Sequence, residues 1–132
     1  MRKKTVIFLC GLIGSGKTTY AISHFRNFTD LDYMNEFARK KDQIEWTKRL
    51  LKINDEVCHI TTYPTEEELN SFEGINKRFL LVDTSVNQCK TNILIRGRKR
   101  DMDNIVNVFK ANEEYSKKIK SSLIEWEYIN IF

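Results

Sequence analysis

The sequence alternates between two apolar rhythms. Thr5-Val6-Ile7-Phe8-Leu9-Cys10 is a nearly unbroken apolar run, which reads as a strand buried on both faces. From Lys17 to Phe28 the spacing becomes helical, with Ala21, Phe25 and Phe28 on one face. Asn35 to Ile53 predicts a second, highly charged helix. Trp46, Leu50 and Ile53 lie on one side of it, and Phe37, Ile44 and Leu51 mark a neighbouring face. Glu56 to Thr62 reads as the next strand, and Lys77 to Thr84 as the clearest later one. Val86 to Ile95 is helical through Val86, Cys89 and Ile93, and a further helix carries Ile105, Val108, Phe109 and Tyr115. Glu125 to Phe132 alternates partly and reads as a last strand. Strands that alternate with helices in this way predict an α/β fold, with a mostly parallel five-stranded sheet flanked by helices.

Local signals set the boundaries. Thr65-Glu66-Glu67-Glu68 is a capping box with Thr65 as N-cap, opening a short helix whose Leu69 and Phe72 turn inward and which Gly74 ends. Ser85-Val86-Asn87-Gln88 looks like a second box. Gly97 breaks the later helical run, and Asp101 or Asp103 is placed to cap the helix beyond. Asn27 to Met34 fits either a loop or a short strand; as a strand it would set Asp30 and Asp32 on the same side.

Composition narrows the class. A chain of 132 residues, 41% of them hydrophobic, has enough apolar material for one domain over 1–132 without a disulfide or metal staple. Cys10 and Cys58 lie in apolar runs and read as core thiols; with Cys89 they are odd in number and widely spaced, which suits a reducing, cytoplasmic setting. The first apolar run is too short for a secretory signal, and no stretch approaches the roughly 20 residues of a membrane span. Met1 to Lys4 reads as a solvated basic lead-in, and His24 and His59 as structural histidines. The net charge of +4 suits polyanionic ligands and permits weak nucleic-acid contact.

The strand–helix junction carries the chemistry. Gly11-Leu12-Ile13-Gly14-Ser15-Gly16-Lys17-Thr18 matches G-x-x-x-x-G-K-[ST], between a buried strand and a helix start. Glycines let successive backbone N–H groups turn inward around an anion, and the helix N-terminus adds partial positive charge. Gly11, Gly14, Ser15, Gly16, Lys17, Thr18 and Thr19 are therefore the candidate triphosphate cradle. Lys17 would reach the β- and γ-phosphates and Thr18 would hold Mg²⁺, with ATP as the expected nucleotide.

Three acidic or basic stretches are candidates for the rest of the site. Asp30 or Asp32, at the end of a short strand, would activate an attacking hydroxyl or bind near Mg²⁺; otherwise they are turn or capping residues. Asp83, after four apolar residues, has the form of a magnesium-associated strand end, or else starts the next turn. Arg96-Gly97-Arg98-Lys99-Arg100 is the densest charge cluster. As a hinge in a mobile lid over about 86–103, Arg96, Arg98 and Arg100 would close on the triphosphate and stabilise the transferring phosphoryl group.

The order of elements and the motif at Gly11–Thr18 resemble the small P-loop kinases: nucleoside, nucleotide and polynucleotide kinases among the short ATP-binding kinases. The resemblance implies Lys17 and Thr18 on the β/γ-phosphates and Mg²⁺, Asp32 or Asp30 as the acid that activates the acceptor, and lid arginines at Arg96, Arg98 and Arg100. Thr61-Thr62-Tyr63-Pro64-Thr65 is partly similar to the D-G-[FY]-P-R stretch of adenylate kinases, with Thr in place of both the acid and the arginine. The expected function is transfer of the ATP γ-phosphate to a nucleoside, a nucleotide or a nucleic-acid 5′-hydroxyl. The alternatives are an ATP-binding regulator or slow ATPase without an acceptor, and a nucleic-acid-binding module that uses the basic hinge.

Overall fold

The computed structural model describes residues 3–131. Met1 and Arg2 of the basic lead-in, and Phe132 of the last predicted strand, lie outside the described residues. Five parallel strands form one sheet in the order β2-β3-β1-β4-β5. They are β1 (Thr5–Cys10), β2 (Phe28–Thr29), β3 (Glu56–Ile60), β4 (Asn76–Val82) and β5 (Glu127–Ile129). The helices are α1 (Lys17–His24), α2 (Lys40–Ile53), α3 (Glu66–Ser71), α4 (Val86–Arg96), α5 (Lys99–Asp103) and α6 (Ile105–Ser121), with a 3₁₀ turn at Leu31–Tyr33.

The central strand β1 explains its own apolar run. Val6, Phe8 and Cys10 enter one core cluster with Ile44, Leu51, Val57, Phe72 and Leu81. Ile7 and Leu9 enter the other, with Ala21, Cys58, Ile60, Leu80 and Val82. A strand with helices on both faces has no side to give to water, so it cannot alternate. Cys10, Cys58 and Cys89 are buried free thiols, and burial holds each of them protonated.

Several boundaries differ from the sequence reading, each for a tertiary reason. Helix α1 ends at His24, and Phe25 is already extended at φ −125°, ψ 134°. Phe28 belongs to β2, which β3 captures through the bond from Cys58 N to Asn27 O at 2.9 Å. Phe25 and Phe28 still pack beside the Ala21 cluster, but from extended chain. Helix α2 starts at Lys40 rather than Asn35, where the Asp42 carboxylate accepts from Arg39 N at 2.8 Å. Its buried face is Gln43, Ile44, Thr47 and Leu51; Phe37 and Ile53, both expected inward, are 82% and 81% exposed. The face is rotated because Gln43 and Thr47 are drawn into a buried polar network.

The Thr65 box is complete: Glu68 N donates to Thr65 Oγ1 at 3.1 Å and Thr65 N to Glu68 Oε1 at 3.0 Å. The Ser85 box is only half made. Ser85 Oγ accepts from Gln88 N, but the Gln88 side chain turns along the helix to Asn92. Neither Asp101 nor Asp103 caps α6. Asn104 stands at that N-cap without a side-chain bond, and Asp101 is buried within α5. The last strand is short, three residues at the sheet edge beside β4. No helix among the described residues is long and apolar enough to cross a membrane.

Candidate functional site

The glycine-rich loop lies where the sequence puts it, between β1 and α1. A Cβ on Gly11, at φ +155°, would lie 2.6 Å from Ser15 Oγ and 3.0 Å from Val82 O. One on Gly14, at φ +82°, would lie 2.8 Å from Ile93 Cγ1. Both positions therefore need glycine for space as well as for backbone angle.

Three side chains from distant elements brace this loop. Asn112 of α6 is buried and clamps Ile13 on both sides: Ile13 N donates to its Oδ1 at 2.8 Å, and its Nδ2 donates to Ile13 O at 2.9 Å. Asn92 Nδ2 donates to Gly14 O at 2.9 Å, and Thr84 Oγ1 to Ser15 O at 2.8 Å. Three successive carbonyls are thus tied away from the cradle, which keeps their dipoles from repelling an anion.

Within the cradle, Lys17 Nζ donates to Gly11 O at 2.7 Å and Leu12 O at 3.0 Å. Desolvation lowers its pKa to about 8, with Cys10 and Asp30 opposing the fall. The Ser15 hydroxyl is buried and has no hydrogen-bond partner. A cation satisfied by carbonyls and a buried hydroxyl without a partner fit a phosphate guest.

Thr18 Oγ1 donates to Asp30 Oδ2 at 2.7 Å. Asp30 stands at the end of β2, is 5% exposed, and with its other oxygen caps the 3₁₀ turn through Asp32 N at 3.0 Å. Both open readings of this stretch are therefore realised: it is a short strand, and its acid also caps a turn. No group of three or more His, Cys, Asp or Glu among the described residues could hold a metal by itself. Asp83, the other predicted metal acid, is exposed and is not among the residues lining the cleft. At that strand end it is Thr84 that turns to the loop, through its bond to Ser15 O.

The cleft over the loop has a volume of about 600 Å³, and Arg96, Arg98 and Arg100 line it together with Lys17, Thr18, Asp30 and Asp32. Gly97, at φ +59°, ends α4 and separates it from α5. Each arginine already faces a carboxylate. Arg96 reaches Asp101 at 2.8 Å, and Arg98 and Arg100 approach Asp32 at 3.6 and 3.2 Å.

On the opposite wall the sequence reading reached the Thr61–Thr65 stretch but missed the buried groups behind it. His59 of β3 and Glu68 of α3 are fully buried and meet at 2.5 Å. Glu68 also accepts from Thr61 Oγ1 and lies 3.3 Å from Lys40 Nζ, and both Thr61 and Lys40 line the cleft. His59 Nδ1 contacts Thr47 Oγ1 at 2.7 Å, which contacts Thr29 Oγ1, next to Asp30. Burial alone would raise the Glu68 carboxyl, but the His59 hydrogen bond and the Lys40 charge outweigh it and pull the pKa down to about 2. Burial lowers the His59 pKa despite Glu68, so a neutral imidazole donates to an ionised carboxylate. In the sequence this wall shows only in the Thr61–Thr65 stretch at the end of the predicted strand and in the capping box at Glu68.

No family model matches the sequence, and no curated protein matches it. Solved structures do. A gluconokinase from Sinorhizobium meliloti 1021 aligns with a TM-score of 0.60 at 13% identity, covering 99% of this chain and 85% of that one. TT1252 from Thermus thermophilus aligns with a TM-score of 0.60 at 18% identity, covering 99% and 90%. The deoxyadenosine kinase of M. mycoides, solved with bound dATP, aligns with a TM-score of 0.54 at 12% identity, covering 96% and 90%. The chain has the fold of the small P-loop kinases.

Proposed function

We propose that the protein is an ATP-dependent phosphotransferase that moves the γ-phosphate to the hydroxyl or phosphate of a small acceptor or a nucleic-acid end. The observation that carries this reading is the meeting of three parts in one cleft: the Lys17 cradle, the Thr18–Asp30 pair and the three lid arginines. A cradle alone would serve a binding protein. Arginines on the far wall add charge where a transferring phosphoryl group needs it.

In this reading, the loop amides and Lys17 bind the triphosphate, and Lys17 exchanges its bonds to Gly11 O and Leu12 O for phosphate oxygens. Thr18 and Asp30 would hold Mg²⁺, which neutralises charge on the β- and γ-oxygens. Arg96, Arg98 and Arg100 leave their carboxylate partners for the phosphates. Release from Arg98 and Arg100 frees Asp32 to accept the proton of the attacking hydroxyl. The braced Ile13, Gly14 and Ser15 carbonyls keep the cradle in shape throughout.

A second reading, an ATP-binding regulator or slow ATPase without an acceptor, draws on one observation. Asp32 is engaged by two arginines and is not free to act as a base. ADP release from Mg-ATP across nucleosides, monophosphates and 5′-hydroxyl oligonucleotides separates the two, with Lys17→Ala as control. The phosphotransferase reading requires one acceptor to raise turnover in a Lys17-dependent manner. A rate that no acceptor changes would favour the regulator.

A further inference from the structure

The wall at the end of β3 speaks to the acceptor. Thr61, Thr62, Tyr63 and Thr65 all line the cleft, so four of five consecutive residues present hydroxyl groups. Most of these hydroxyl protons are already committed. Thr61 Oγ1 and Thr65 Oγ1 both donate to Glu68 Oε1 at 3.2 Å, and Tyr63 donates to Ser122 Oγ at 2.8 Å. A hydroxyl has one proton and two lone pairs; Thr61 Oγ1 already accepts from Lys40 and Thr65 Oγ1 from Glu68 N, so each keeps one lone pair to offer and Tyr63 keeps both.

The cation on this wall is committed too. Lys40 Nζ donates to Gln43 Oε1 at 2.8 Å and Thr61 Oγ1 at 3.4 Å, and lies 3.3 Å from Glu68 Oε2. Two of its N–H bonds are used on Gln43 and Thr61, and the buried, ionised Glu68 beside it balances its charge. The wall therefore offers lone pairs backed by a carboxylate. It welcomes groups that donate hydrogen bonds. A phosphate is an acceptor only, and would meet hydroxyl oxygens of which only Thr62 keeps an uncommitted proton, with no unbalanced cation. The arginines across the cleft do not alter this, because they are the groups that the donor triphosphate draws from Asp32 and Asp101.

We propose that the phosphoryl acceptor is an unphosphorylated, hydroxyl-rich small molecule, a nucleoside or a sugar, and not a nucleoside monophosphate or an oligonucleotide end. This rests on the phosphotransferase reading above and selects within it. The reaction is a simple transfer: the acceptor O–H loses its proton to Asp32, its oxygen bonds to the γ-phosphorus, and the bond to the bridging oxygen breaks to release ADP.

Matched pairs test it. ADP release from Mg-ATP is measured with nucleosides against their 5′-monophosphates, with glucose and ribose against their terminal phosphates, and with a 5′-hydroxyl oligonucleotide. The proposal expects at least one unphosphorylated member to raise turnover more than tenfold over its phosphorylated partner, with the two arms telling a nucleoside site from a sugar site. A phosphorylated member or the oligonucleotide as the better acceptor overturns the inference and leaves the kinase reading standing. Failure of every acceptor, while ATP still binds in a Lys17-dependent manner, removes the kinase reading and this inference with it. Thr62→Lys adds an unbalanced cation to the wall without touching Glu68. It should shift the ratio of kcat/KM for monophosphate over nucleoside upward by about tenfold, and an unchanged ratio counts against the wall as the source of selectivity.

Discussion

In the proposed mechanism Lys17 carries the largest single responsibility at the residue scale. Its desolvated ammonium has a pKa of about 8 in the ligand-free protein, well below its ordinary value of 10.5. Phosphate prefers the charged form, so ATP affinity should hold steady below pH 8 and weaken as pH rises through it. A titration by calorimetry from pH 7 to 9.5 checks this, and an affinity flat across that range would contradict it. Lys17→Ala should lower turnover by about 100-fold or more, the scale of losing one electrostatic donor in a closed site. The two acids separate by different losses. Asp30→Asn removes the carboxylate on Thr18 and should weaken Mg²⁺ dependence by about 10- to 100-fold. Asp32→Asn should lower kcat by about 10²- to 10⁴-fold with little change in KM, the scale of a lost general base. Equal effects on kcat and Mg²⁺ affinity from both variants would refute this division of roles.

At the scale of elements, the site depends on parts that are distant in sequence. The α6 clamp on Ile13 is the clearest case: Asn112 makes two hydrogen bonds to one loop residue across 99 positions. Asn112→Ala leaves both groups of Ile13 without partners, and should cost about 1–3 kcal/mol of stability and weaken ATP binding with it. Thermal unfolding and ATP titration on the same variant check both, and a stable variant with native affinity would show that the loop holds its own shape. This dependence also explains what the sequence could tell. The loop, β1, the Thr65 cap and the helix break at Gly97 were legible because each rests on local spacing. Helix α1 stops four residues early, and α2 turns Gln43 and Thr47 inward instead of Ile53, because pairing with β3 and the His59–Glu68 network decide those points. Asn112 and Lys40 carry no motif, and Glu68 shows only as the end of a capping box; the fold alone brings them to the cleft.

For the whole molecule, the buried His59–Glu68 pair ties the sheet to α2 and α3 and sets the response to acid. The His59 pKa lies below its ordinary 6.5 in the folded state, so the unfolded chain takes up its proton first and stability falls as pH drops below about 6.5. Glu68 falls from its ordinary 4.5 to about 2 on folding; its contribution is complete above pH 4.5 and is lost as pH falls toward 2. Both act in one direction, so urea midpoints should decline steadily from pH 7 to 3. Glu68→Gln should remove the lower part of that decline, and a midpoint that rises on acidification would refute the assignment. The central claim, however, is that the braced cradle, the Thr18–Asp30 pair and the lid together transfer phosphate. The measurement that tests it most directly follows label from [γ-³²P]ATP into a small-molecule acceptor, in wild type and in Lys17→Ala. The account predicts a labelled acceptor with wild type and none with the variant. Label released only as inorganic phosphate, or an acceptor labelled equally by both proteins, would contradict it.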